Sequence, residues 1–157
     1  MKKYKIENLL NDGYEKFKIN NYKEAISFFN KAYKLDNNYS KTLFLLGITN
    51  AELKNLEEAR SHLYKSAILD PNNFYAQYNT AKIYSDLNRD EEAVKFHLRA
   101  LELNPNNPEA WLNYGVTNKK IQKYEIAIEC FKKCLKINPH TAECHINLGD
   151  IFFENGE

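Results

Sequence analysis

Residues 74–107 read FYAQYNTAKIYSDLNRDEEAVKFHLRALELNPNN, and the pattern of this stretch recurs along the chain at a fixed interval. Three sets of residues follow that interval: Gly13, Gly47, Ala81, Gly115 and Gly149; Ala25, Ala59, Ala93 and Ala127; and Pro71, Pro105 and Pro139. A fixed period of about 34 residues is typical of a row of equivalent two-helix units. The period therefore predicts an all-α repeat fold.

With Ile6 taken as the first position of the repeat, the same interval gives the expected boundaries within a single domain, 1–157. We predict repeats at 6–39, 40–73, 74–107 and 108–141, followed by a partial repeat at 142–157. The third repeat should hold a helix A over 74–87 and a helix B over 90–103, and the other repeats follow by steps of the same length. Proline cannot donate an N–H and disfavours helix at the preceding residue, so the three periodic prolines should end each helix B.

The periodic columns follow the tetratricopeptide pattern, which is W-x₂-L-G-x₂-Y, then A-x₃-F, then P. From about Ile6 onwards the chain resembles a tetratricopeptide-repeat (TPR) protein. The resemblance implies a right-handed α-solenoid of antiparallel helix pairs, in which the A helices line a concave groove. It also implies a non-enzymatic scaffold that binds a protein or peptide partner.

Composition narrows the class of partner. The 157 residues include 22 basic and 21 acidic side chains, for a net charge of +1, so no strong field favours nucleic acid. No apolar run approaches the roughly 18 residues of a membrane span, and the first residues lack the apolar block of a secretory signal. Three cysteines make no even disulfide set. We therefore expect a cytoplasmic protein without a membrane span and without nucleic acid as partner.

Two columns of helix A stand out as a candidate binding surface. The fifth position of each repeat is apolar, and the sixth is asparagine in four of five repeats, with Leu45 as the exception. An asparagine amide both donates and accepts, so a row of them suits the backbone of an extended peptide. The row is similar to the asparagine ladder in the TPR regions of O-GlcNAc transferase and kinesin light chains. The predicted peptide-binding residues are Asn11, Asn79, Asn113, Asn147, Leu10, Tyr14, Phe44, Tyr75, Tyr78, Lys82 and Leu112.

Two plainer explanations stay open for these columns. Asparagine is common at this position across the family, so shared ancestry is one alternative explanation of the row. Some of the apolar residues in the predicted set would be buried by packing within the repeats and would not contact a ligand. Recognition of a C-terminal carboxylate, as in Hsp70 and Hsp90 co-chaperones, is not expected, because the clamp positions here lack the required pair of cations in either frame.

The remaining candidates for site chemistry lie late in the chain. Cys130, Cys134 and Cys144 lie near two histidines, His140 and His145, in sequence, but their spacing does not match the close cysteine pairs of structural zinc sites. Cys134 occupies a small-residue column, and His97 occupies a column held elsewhere by phenylalanine. We therefore predict buried thiols, a packed histidine, no catalytic residues, no metal and no cofactor.

The two ends of the repeat array differ. Asp12 and Lys16 replace usually apolar residues in the first helix A, as expected of an N-terminal cap. The last helix A carries an apolar set, including Phe152 and Phe153, up to a turn-like Asn155-Gly156. We expect this helix either to be followed by further repeats or to pair with another copy through those phenylalanines. Two alternatives to a free-standing scaffold are a substrate-recruiting arm of a larger enzyme, similar to O-GlcNAc transferase, and a self-assembling structural subunit.

Overall fold

The structure is a computed structural model that describes residues 1–154, and within them it contains nine α-helices and no strand. The helices are α1 (Lys2–Lys18), α2 (Tyr22–Leu35), α3 (Ser40–Glu52), α4 (Leu56–Leu69), α5 (Phe74–Asp86), α6 (Asp90–Leu103), α7 (Pro108–Lys120), α8 (Tyr124–Ile137) and α9 (Ala142–Glu154). Odd-numbered helices are the predicted A helices and even-numbered ones the B helices. The predicted Asn155-Gly156 turn lies outside the described residues.

Each turn from helix A to helix B contains one residue whose backbone has a positive φ, in the left-handed helical region. These residues are Asn20, Lys54, Asn88 and Gln122, with φ between 55° and 63°, and they occupy equivalent positions in successive repeats. The turn closes by a hydrogen bond across it, as from Asn21 N–H to the Lys16 carbonyl at 2.9 Å. Such a left-handed residue lets the backbone N–H groups after a helix satisfy its last free carbonyls, and glycine usually fills it. Here the repeat uses side-chain-bearing residues instead.

The contacts of the chain define two compact units, residues 1–83 and 84–157, with the boundary inside α5. The first unit holds α1 to α4 and most of α5. Its core includes Leu10, Phe29 and Leu46, and α1 packs along α2 while α3 packs along α4. Gly13 is buried against the Phe29 ring, so the missing side chain lets α1 approach α2 closely.

The second unit holds the end of α5 and helices α6 to α9. Its core includes Phe131, Cys134, Cys144 and Ile151, with Trp111 packed at its edge. Gly115 on α7 lies against Phe131 on α8 in the way that Gly13 lies against Phe29. The antiparallel pairing of A and B helices therefore recurs in both units, whereas the expectation of one domain over 1–157 stays a prediction.

None of the helices within residues 1–154 is both long enough and apolar enough to cross a bilayer. The longest, α1, has 17 residues, of which the first four are exposed. It begins at Lys2 rather than at the predicted Ile6, because no proline or capping side chain interrupts the segment before Ile6.

Candidate peptide-binding surface

The A helices of the first unit form an open pocket. Helices α1 and α3 contact each other directly, and between them lies a pocket of about 290 Å³ lined by Leu10, Asn11, Tyr14, Lys41, Phe44 and Leu45. Leu10 is only 1% exposed and belongs to the core, so it forms the floor of the pocket. Tyr14 is 45% exposed and Phe44 is half-buried, so these two rings are the accessible apolar walls.

Lys41, one of the residues that line this pocket, belongs to a charged network with Glu7 and Tyr39. The Tyr39 hydroxyl donates to Glu7 Oε1, and Lys41 Nζ donates to Glu7 Oε2 at 2.7 Å. The hydrogen bond from Lys41, followed by that from Tyr39, lowers the pKa of Glu7. The bond to Glu7 is also the main reason that the pKa of Tyr39 rises to about 12. Because Glu7 neutralises Lys41, the pocket offers an apolar surface rather than a free cation.

Helix α5 presents three predicted residues on one stripe, since Tyr75, Tyr78 and Lys82 are spaced i, i+3, i+7. Tyr75 is 65% exposed, and the Tyr78 ring stacks on Phe74 with 5.6 Å between centroids. Lys82 is exposed and forms no ion pair with any described residue. The stripe therefore combines accessible aromatic surface with one free positive charge.

The asparagine column is present but partly turned onto its own helices. Asn79 Nδ2 donates to the Tyr75 carbonyl at 2.8 Å, and Asn147 Nδ2 donates to the Glu143 carbonyl at 2.8 Å. Lys119 Nζ also donates to Asn147 Oδ1 at 3.2 Å. Asn11 is exposed at the rim of the α1–α3 pocket, and Asn113 is half-buried. Asn79 thus directs its amide donor at its own helix.

The second unit has a pocket that the sequence prediction missed. It has a volume of about 410 Å³ and is lined by Pro108, Glu109, Leu112, Asn138, His140, Thr141, Ala142 and Glu143. Of these, only Leu112 was predicted, because the other residues lie in the turn before α9 or at the first two positions of a repeat. One feature of the sequence could have indicated this pocket. Glutamate occupies the second position of two successive repeats, at Glu109 and Glu143.

The cysteines and His97 are packed into the second unit. Cys130, Cys134 and Cys144 are free thiols and buried, and burial raises the pKa of Cys130 and of Cys144 to about 12. His97 is 1% exposed, its Nε2 lies 3.0 Å from Thr117 Oγ1, and burial lowers its pKa to about 4. A protonated thiol is a poor nucleophile, so Cys130 and Cys144 are best described as core residues. Cys134 and His97 belong to the core because they too are buried. Within residues 1–154, no three metal-ligating side chains come together.

Helix α9 exposes the apolar residues that were expected to lack a cover. Phe153 is 85% exposed, Ile146 is 60% exposed and Phe152 is 36% exposed. A Cβ atom on Gly149 would meet nothing within 4 Å. Cys144 and Ile151, on the other side of the helix, are fully buried. The helix is therefore packed on one face and open on the other.

Family comparisons agree with these repeats. Tetratricopeptide-repeat models match residues 7–39 and 108–141, and a TPR-repeat model matches residues 81–122. Together these segments cover more than half of the chain, and the nine helices of residues 1–154 have the TPR length and spacing. The chain belongs to the tetratricopeptide-repeat family, a class of protein-interaction scaffolds. Among curated proteins, no sequence matches this chain.

Solved structures match the fold over nearly the whole chain. A crystal structure of MamA has a TM-score of 0.87 at 24% identity, covering 92% of this chain and 84% of that one. MamA from Desulfovibrio magneticus RS-1 has a TM-score of 0.90 at 20% identity, covering 97% and 86%. YrrB, described as a TPR protein with an unusual peptide-binding site, has a TM-score of 0.88 at 21% identity, covering 94% and 76%. These matches confirm the predicted fold class, an all-α solenoid of antiparallel helix pairs.

Proposed function

We propose that this scaffold binds an extended peptide or a partner helix on the A-helix face of its units. The observation that carries the proposal is the α1–α3 pocket, whose accessible walls are Tyr14 and Phe44 and whose rim includes Asn11. Half-exposed aromatic side chains beside an exposed amide combine apolar contact with backbone recognition. The peptide-binding site of the similarly folded YrrB supports this use of the fold.

The asparagine column provides the test. Replacing Asn79, Asn113 and Asn147 together with alanine should weaken the binding of partners recovered from a peptide display library. Stability should change little, because such exposed or half-exposed polar substitutions usually stay within about ±0.5 kcal/mol each. A control variant replaces three exposed asparagines outside the A helices, Asn30, Asn38 and Asn106, with alanine. Equal affinity of the wild type and the A-helix variant would refute the role of the column.

Helix α9 supports a second role, self-association. Its exposed Ile146 and Phe153 flank Gly149, which has open space where a Cβ would stand. Burying each large apolar side chain contributes roughly 1.5–3 kcal/mol. A second copy that covers this face would therefore stabilise the assembly by burying these side chains. We propose homo-oligomerisation through α9 as the alternative to a purely peptide-binding scaffold.

We further propose that the chain acts by binding and not by catalysis. Cys130 and Cys144 have raised pKa values and His97 a lowered one, so none of these three groups is poised as a nucleophile or base near pH 7. Recruitment of a substrate to a catalytic domain is the alternative role for the same surface. The three free cysteines suit a reducing compartment, and we place the protein in the cytoplasm.

A further inference from the structure

We propose that the A-helix face of the first unit selects a peptide carrying one large apolar side chain and one acidic side chain. The apolar side chain would occupy the α1–α3 pocket, and the acidic one would pair with Lys82. This selectivity rests on the proposed peptide-binding function and adds the chemistry of the ligand to it.

The pocket accounts for the apolar part. Its floor is Leu10 and Leu45, its walls are Tyr14 and Phe44, and only the rim residues Asn11 and Lys41 are polar. At about 290 Å³ it lies at the small end of ligand pockets, which suits one side chain better than a whole small molecule. Anchors of this kind, in pockets that exclude water, carry most of the energy of an interface. A leucine, methionine or phenylalanine is therefore the expected anchor.

The charges on the same face account for the acidic part. The stretch of α5 in this unit, residues 74–83, carries no charged residue other than Lys82. Lys41 on α3 is already paired with Glu7 at 2.7 Å, and Lys18 on α1 is paired with Glu15 at 2.7 Å. Glu52, at the last residue of α3, is not within ion-pairing distance of Lys82. Lys82 is therefore a cation on this face that is left for a ligand carboxylate.

Repeat equivalence places Lys82 on the binding face. It holds the ninth position of its repeat, which is the position of Tyr14 and Ile48 in the two preceding repeats. Tyr14 lines the pocket, and Tyr75 and Tyr78 lie on the same stripe of α5 as Lys82. A peptide anchored beside Tyr14 and extended along these helices would therefore pass aromatic surface before it reaches the lysine.

The experiment is a selection from a random peptide display library against the full chain, followed by affinity measurements on one selected peptide. We expect enrichment of peptides that combine a large apolar residue with Asp or Glu. Tyr14→Ala should lower the affinity for the selected peptide by about tenfold, as expected for an interface anchor. Tyr64→Ala, which removes a comparably exposed tyrosine from helix α4, should have no such effect.

Charge reversal tests the ion pair. Lys82→Glu should weaken the binding of the selected peptide. The same substitution should strengthen the binding of a peptide version in which lysine replaces the acidic residue. Lys23→Glu, the same charge change at an exposed position on α2, should produce neither effect. Both variants change exposed side chains, so loss of folding would not explain a difference between them.

The outcomes separate the two proposals. Selected peptides without an acidic residue, or peptides insensitive to Lys82→Glu, would overturn this inference and leave peptide binding intact. A library with no enrichment would overturn the proposed peptide binding and this inference with it. If Tyr14→Ala instead converts an oligomer to a monomer, a second copy occupies the face and the inference is wrong.

Discussion

A Cβ atom on Gly115 would lie 2.5 Å from Cε1 of Phe131, closer than real Cβ contacts allow. Gly13 faces Phe29 at the same distance, and Gly47 faces Leu63 equally closely. At these three positions glycine is therefore required by the close approach of a helix B side chain. Gly149 has the same repeat position but no such neighbour, which makes it an internal control for this requirement.

The first prediction compares these glycines. Gly115→Ala should lower the free energy of unfolding by about 1–3 kcal/mol, because the new methyl group overlaps the Phe131 ring. Gly149→Ala should raise it by about 0.5–1 kcal/mol, because alanine favours helix over glycine and the space is open. Urea unfolding followed by circular dichroism measures both. A loss of stability in Gly149→Ala comparable to that in Gly115→Ala would show that this face of α9 is covered in solution.

The second prediction concerns the turns from helix A to helix B. Gln122 has φ of 59°, a conformation that is strained for any residue with a Cβ and free for glycine. Gln122→Gly should therefore stabilise the protein by up to about 1 kcal/mol. Lys132→Gly, at an exposed position inside α8, should destabilise it by a similar amount, since glycine there only weakens the helix. Equal losses in both variants would contradict the predicted strain.

The third prediction is a pH dependence set by His97. Its pKa is about 4 in the folded protein and 6.5 ordinarily, so the unfolded chain binds more protons between these values. The free energy of unfolding should therefore fall as the pH drops from about 6.5 to 4, by at most about 3 kcal/mol. His97→Gln should flatten this part of the profile, because glutamine does not titrate.

The control for this pH profile is His140→Gln, at an exposed position. It removes one histidine without touching the buried site. Denaturant unfolding at intervals between about pH 4 and 7 would compare the three proteins across the window in which the histidine titrates. If His97→Gln retains the slope of the wild type, another group is responsible for it.

The fourth prediction tests self-association through α9. If a second copy covers this face, Phe152→Glu combined with Phe153→Glu should shift the protein towards monomer in light scattering. Ile68→Glu, which places a charge on an exposed apolar residue of α4, should leave the oligomeric state unchanged. A wild-type protein that stays monomeric at high concentration would rule out this association and leave the face to another partner.

The sequence by itself determined the repeat, the helix type and the helix boundaries to within one residue, except for the start of α1. Proline acts through the backbone conformation of its neighbours, and the alanine and glycine columns allow close contact between adjacent helices. The spacing of these residues can therefore be recognised in the sequence alone. All four predicted B helices have the bounds that the repeat period gives, as α6 (Asp90–Leu103) illustrates. The period also placed the asparagine column, of which Asn79 and Asn147 lie on A helices as expected.

Only the tertiary structure decided which side chains are available to a ligand. Leu10 and Tyr14 were predicted together, but the fold buries the first in the core and leaves the second 45% exposed, because exposure depends on packing between helices far apart in sequence. Likewise, Lys41 meets Glu7 only after α1 and α3 pack together. Lys82, in contrast, has no ion-pair partner among the described residues. The left-handed conformation of the turn residues could not be predicted either, because lysine and glutamine, as at Lys54 and Gln122, have no preference for it. Periodicity therefore fixes where each helix lies, whereas long-range packing decides which of its residues a ligand can reach.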